Sequence, residues 1–200
     1  MKVKWTRIFI NPFEDFSSNQ LLIVGLVTYV LSSMLVYYTG NHFQGVISIK
    51  QGASSNLIWS FYNNGMVVVL LSVLCYLFGK IRRSNVRFVD VLNVVLISRI
   101  IIYVILLLLI EPVFVKNTLT KVELAVLDDD FMLTSLSNLD RTVLISLAMI
   151  SLLGLFYFFY FFVTSLCFVL NSKSKIDVLW ILVLVFGLEI LFSLFHLNIY

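Results

Sequence analysis

Apolar residues run along this chain in five long blocks separated by short polar stretches. The blocks cover residues about 21–39, 60–79, 91–111, 142–170 and 178–197. Each is close to the roughly 20 predominantly apolar residues that a helix needs to cross a bilayer. A spanning strand would take about 10 residues of alternating polarity, and none of the blocks alternates. Lipid offers no partner to a backbone N–H or C=O, and a helix satisfies those groups within the segment. The pattern predicts an all-α polytopic membrane protein, a bundle of five transmembrane helices forming one integral membrane domain over 1–200, with a short segment 1–20 ahead of the first span.

The block edges carry ordinary helix signals. Asn11-Pro12 breaks any helix coming from the N-terminus, and Ser17 or Ser18 can cap the first span. Asn63-Asn64 interrupts the start of the second block. Pro112 cannot continue the third helix. Asp140 and Asp177 are the expected N-caps of the fourth and fifth.

Composition agrees with the pattern. Sixty per cent of the 200 residues are apolar and 12% are charged, against about 25% charged in a soluble domain. This excludes a soluble enzyme, a disulfide scaffold and a disordered tail. Cys75 and Cys167 both fall inside apolar blocks and read as small apolar fillers. The basic start, Met1 to Arg7, is followed by a polar, Pro-broken stretch rather than the apolar core of a signal peptide, so the segment is expected to be retained.

Charge adds orientation. One face receives Lys2, Lys4, Arg7, Lys80, Arg82, Arg83, Arg87, Lys173 and Lys175; the other receives Lys50, Lys116, Lys121 and Arg141. A nine-to-four split predicts a cytoplasmic N-terminus and an external C-terminus. The basic loop formed by Lys80, Arg82, Arg83 and Arg87 can also touch anionic headgroups. Asp128-Asp129-Asp130 reads as a solvated acidic loop on the outer face, and His42 and His196 as interfacial polar residues there.

Two ionisable residues lie well inside the spans: Arg99 and Glu189. A charge at mid-membrane costs about 2.5–3.5 kcal/mol on insertion scales, so each needs a reason. By the helical rise their depths differ by only a few Å. They form the candidate intramembrane polar pair. One reading is an ion pair or hydrogen-bond network joining the third and fifth helices. Another is a polar or proton-coupled pathway. A third has Arg99 snorkelling to the interface while Glu189 is protonated or faces water. Ala148, Ser151 and Gly154 make a small-residue face on the fourth helix, suited to close helix contact. No catalytic, nucleotide-binding or metal-binding motif is present, and neither a cofactor, a metal nor nucleic acid is expected.

Three stretches resemble a known family. Ile10-Asn11-Pro12-Phe13-Glu14-Asp15-Phe16 precedes the first span. Tyr76-Leu77-Phe78-Gly79-Lys80 leads through the basic loop into Phe88-Val89-Asp90-Val91-Leu92. Ser137-Asn138-Leu139-Asp140 opens the long fourth span. Together they resemble the Yip family of Rab-GTPase-interacting five-span membrane proteins, in particular its bacterial branch. The resemblance implies a five-span protein of the bacterial inner membrane. With no catalytic motif in the chain, the expectation is a non-enzymatic accessory or membrane-organising component whose partners are the lipid bilayer and other membrane proteins or itself. The rival expectation is a small transporter or channel subunit built on Arg99 and Glu189.

Overall fold

The computed structural model describes residues 12–51, 56–82, 85–110, 113–127 and 136–195. A 3-10 turn at Pro12–Glu14 leads into six α-helices and one small hairpin. In chain order these are α1 (Ser18–Thr39), β1 (Asn41–Phe43), β2 (Ile49–Gln51), α2 (Leu57–Arg82), α3 (Phe88–Ile110), α4 (Val113–Leu127), α5 (Asn138–Val169) and α6 (Lys175–Phe195). All the helices except α4 are long and apolar enough to cross a membrane. The protein is an all-α bundle of five such helices, an integral membrane protein.

Short-range chemistry sets the helix ends. The Ser17 hydroxyl accepts from the Gln20 N–H while the Gln20 side chain accepts from the Ser17 N–H, a reciprocal cap that starts α1. The helix stops at Gly40, whose φ of 66° lies in the left-handed region that glycine enters without penalty. The caps of α5 and α6 differ from expectation. Ser137, not Asp140, caps α5, and the Ser174 hydroxyl, not Asp177, accepts from the Ile176 N–H as α6 begins. Both aspartates instead sit in the first turn, where negative charge suits the helix N-terminus and a cation can reach them. Asp140 takes Lys121 at 2.8 Å and Asp177 takes Arg82 at 3.3 Å.

α3 is the centre of the bundle. It packs against α1, α2 and α5, and Val91, Val94, Val95 and Leu106 are fully buried. α6 closes against α2 and α5. Gly154 of α5 faces Ile105 of α3 so closely that a Cβ would collide with it. The small-residue face of α5 is thus partly an internal contact, although Ala148 is exposed. At one end of the bundle Phe13 and Phe16 pack against Leu21, Ile97 and Phe161.

Two elements were not expected. The segment between the third and fourth spans contains α4, docked on α5 through Lys121 and Thr118, both bonded to Asp140. The connection between the first two spans is not a plain loop. It forms a hairpin, with Asn41 opposite Gln51, His42 opposite Lys50 and Phe43 opposite Ile49. Phe43 and Val46 are buried, so the hairpin points into the bundle. His42 goes with it and is buried rather than interfacial. His196, Asp128-Asp129-Asp130 and Pro112 lie outside the described residues.

Candidate functional site

The hairpin tip, Gln44–Ser48, is where the intramembrane charges meet. The tip closes on itself weakly, with the Gln44 N–H donating to the Ser48 carbonyl at 3.0 Å. That leaves the amides of Val46, Ile47 and Ser48 without partners inside the tip. In lipid each would cost several kcal/mol. Glu189 of α6 supplies the acceptor: its Oε2 takes Val46 at 2.6 Å and Ile47 at 3.1 Å, and its Oε1 takes Ser48 at 3.1 Å. Successive amides converging on one anion make a nest, here filled by the protein's own carboxylate.

Gly45 makes the approach possible. The three nearest atoms that a Cβ there would meet all belong to the Glu189 carboxylate, closer than any side chain tolerates.

Arg99 holds the other side of the same tip. It is fully buried on α3. Its Nη1 donates to the Val46 carbonyl at 3.1 Å, its Nη2 to Asn64 Oδ1 at 3.1 Å and its Nε to Tyr103 Oη at 3.2 Å. The guanidinium also lies over the Phe43 ring of β1, 5.0 Å from its centroid, and over the Tyr103 ring. A desolvated cation gains about 2 kcal/mol or more from such a face.

Asn64 of α2 is the hub behind Arg99. Its Oδ1 accepts from Arg99 and from Tyr103 Oη, at 3.1 and 3.0 Å. Its Nδ2 donates to Ser32 and Ser33 of α1 at 3.1 and 2.9 Å. The two serines donate in turn to the Tyr29 carbonyl. One buried network therefore ties α1, α2, α3 and the hairpin, and Glu189 adds α6.

Arg99 and Glu189 do not form an ion pair with each other. The ion pairs recorded among the described residues are Arg82–Asp177, Arg87–Asp90 and Lys121–Asp140. The two charges are joined through a shared third party: Val46 gives its carbonyl to Arg99 and its amide to Glu189. The arrangement pins a polar backbone turn inside an apolar bundle. Arg99 uses its nitrogens on protein acceptors, and the Glu189 oxygens are taken by amides.

Tyr103, Gly45 and the tip itself carry no signal in the sequence that would place them at this site. The usable signal was Asn63-Asn64 inside an apolar block, which reads as an interruption until Arg99 is brought beside it.

The basic loop is placed at the end of the bundle, and its charges are partly engaged. Lys80 lies over the Tyr76 ring, 5.5 Å from its centroid. Arg82 pairs with Asp177, and Arg87 holds Asp90 through Nε at 2.7 Å and Nη2 at 3.1 Å. Arg83 lies outside the described residues. Among the described residues no group of three His, Cys, Asp or Glu side chains is placed to hold a metal ion. No protein-family model matches the chain, and neither a curated protein nor a solved structure shows significant similarity to it.

Proposed function

We propose that this protein is a non-enzymatic accessory or organising component of its membrane, and that it binds other membrane proteins, or a second copy of itself, through the outward side of α5. The observation that carries the reading is the contrast between α5 and its neighbours. α5 is the longest helix, yet only 6% of its most apolar stretch is buried, against 56% for α3. Ile145, Leu152, Leu153 and Phe156 all face outward, with the small Ala148 beside them to admit a partner helix. The Yip-like stretches in the sequence support the same reading. The use of Arg99 and Glu189 to fix the hairpin favours it over a transporter or channel subunit, which would need those charges within reach of a solute. The nine-to-four distribution of Lys and Arg supports a cytoplasmic N-terminus, and the Yip-like stretches are what point to a bacterial inner membrane.

Site-specific photocrosslinking in native membranes tests the interaction. A crosslinker at Leu153 of α5 should give discrete protein adducts, while one at Leu179, an exposed position of α6, should give lipid adducts only. Protein adducts at neither position, or equally at both, would refute it. Cysteines placed at positions 2 and 198 should label from opposite sides of the membrane; labelling from one side would overturn the orientation.

A further inference from the structure

One side of the bundle is open. α3 packs against both α1 and α5, and between those two helices lies a groove of about 830 Å³. Its lining is almost wholly apolar and includes Ile97, Ile101 and Val104 of α3, Val24 of α1 and Tyr157 of α5. Along α5 it runs from Phe161 to Ile150, about 16 Å at 1.5 Å per residue. That is the depth of one leaflet, half of a hydrocarbon core roughly 30 Å thick.

A second pocket of about 340 Å³ lies beside the groove towards the N-terminus of α3, with Phe16 and Leu21 lining both. The second pocket is half polar: Ser18, Arg87, Asp90 and Asn93 line it on one side, with Phe168 and Val169 among its apolar walls. Arg87 is engaged by Asp90 through Nε and Nη2, which leaves the N–H groups of Nη1 for another acceptor. Ser18 donates to Asp90, and Asn93 Nδ2 donates to Ser18 at 2.8 and 2.9 Å. Asn93 is 1% exposed, and its Oδ1 is buried without a hydrogen-bond partner. A buried acceptor left unmet costs about 1–3 kcal/mol.

The shape is that of an amphiphile: an apolar channel one leaflet deep with a polar chamber at its interfacial end. A partner transmembrane helix would need an apolar track across the whole membrane, which this groove does not offer. The charge in the chamber selects the headgroup. Arg87 and Asp90 sum to zero, so a purely anionic headgroup would meet Asp90 as well as Arg87. Asp90 beside Arg87 favours a cationic group that can donate hydrogen bonds, which a quaternary ammonium cannot.

We propose that this cleft binds one zwitterionic phospholipid with a primary-amine headgroup, its acyl chain in the apolar groove, its phosphate on Arg87 and its ammonium at Asp90. The site is independent of the accessory role.

The test compares phosphatidylethanolamine, phosphatidylcholine and phosphatidylglycerol of identical chains on the detergent-purified full chain, by native mass spectrometry and by thermal shift. Phosphatidylethanolamine should bind at least tenfold tighter than either of the others. Glycerophosphoethanolamine, the headgroup without chains, should not bind in the same range. Val104→Trp fills the groove from a half-exposed position and should abolish the preference, while Leu179→Trp on α6 should leave it intact. Equal binding of the three lipids by the wild-type chain overturns the proposal, whether or not the variants fold. Full binding of the chainless headgroup, or a preference that survives Val104→Trp, also overturns it.

Discussion

Gly45 and Glu189 allow a sharp test of how the hairpin is held. The φ of Gly45 is not in the left-handed region, so alanine suits its backbone, and the Glu189 carboxylate is what the new methyl group would strike. Gly45→Ala should therefore act by pushing the carboxylate away from the amides of Val46, Ile47 and Ser48. Hydrogen bonds to a charged group are each worth about 1.5–3 kcal/mol. Removing one partner from a buried charged network typically costs about 3–5 kcal/mol, because the remaining groups are stranded. We expect Gly45→Ala and Glu189→Ala each to destabilise by about 3–5 kcal/mol. The double variant should be no worse than Glu189→Ala alone, within about 0.5 kcal/mol, since the methyl group then has nothing to displace. The assay is equilibrium unfolding in mixed micelles of dodecyl sulfate and a mild detergent, followed by helix content. Additive losses, or a Gly45→Ala chain as stable as wild type, would refute the nest as the hairpin's anchor.

Further outcomes follow from the same geometry. Arg99→Leu should cost about 3–5 kcal/mol in that assay, and Arg99→Lys should fail to restore it, since one ammonium cannot replace three nitrogens directed at Val46, Asn64 and Tyr103; full rescue by lysine would show that charge alone matters. Lys121→Ala should destabilise by no more than about 1 kcal/mol, because its ion pair with Asp140 is half-exposed at the lysine end, and the loss should shrink in high salt in a thermal melt. A loss above that, unmoved by salt, would place α4 more deeply in the fold than described.

The five spans were legible because a run of apolar residues long enough for a bilayer leaves the backbone one common solution. The expected spans and the observed helices differ by only a few residues at most edges. Charged depth was also legible: Arg99 and Glu189 stand out in any apolar block, and the helical rise puts them at similar levels. Their actual bond was not legible. Two strands of three residues carry no periodicity, and nothing local in Gln44–Ser48 says that its amides face a carboxylate in the last helix. The Asn64 hub was hidden for the same reason, since its partners come from α1 and α3. The caps were misread at Asp140 and Asp177 because serine and aspartate within three residues of each other both suit a helix start. The deciding signal is local: Ser137 and Ser174 each stand three residues before an aspartate, the spacing in which the serine caps and the acid takes the first turn.

The grip of α6 on the hairpin also has a temporal side. Val46 and Glu189 are 143 residues apart in the chain. At synthesis rates of 5–20 residues per second, roughly 7–30 s separate the emergence of the hairpin from that of the carboxylate it needs. Until then the three amides have only water to satisfy them, so the hairpin must wait at the membrane surface while α1, α2 and α3 insert around its eventual position. Of the described spans, α6 enters the bilayer after the others and lets the first connection descend, and a chain truncated before Glu189 would retain four spans with this loop still accessible to water.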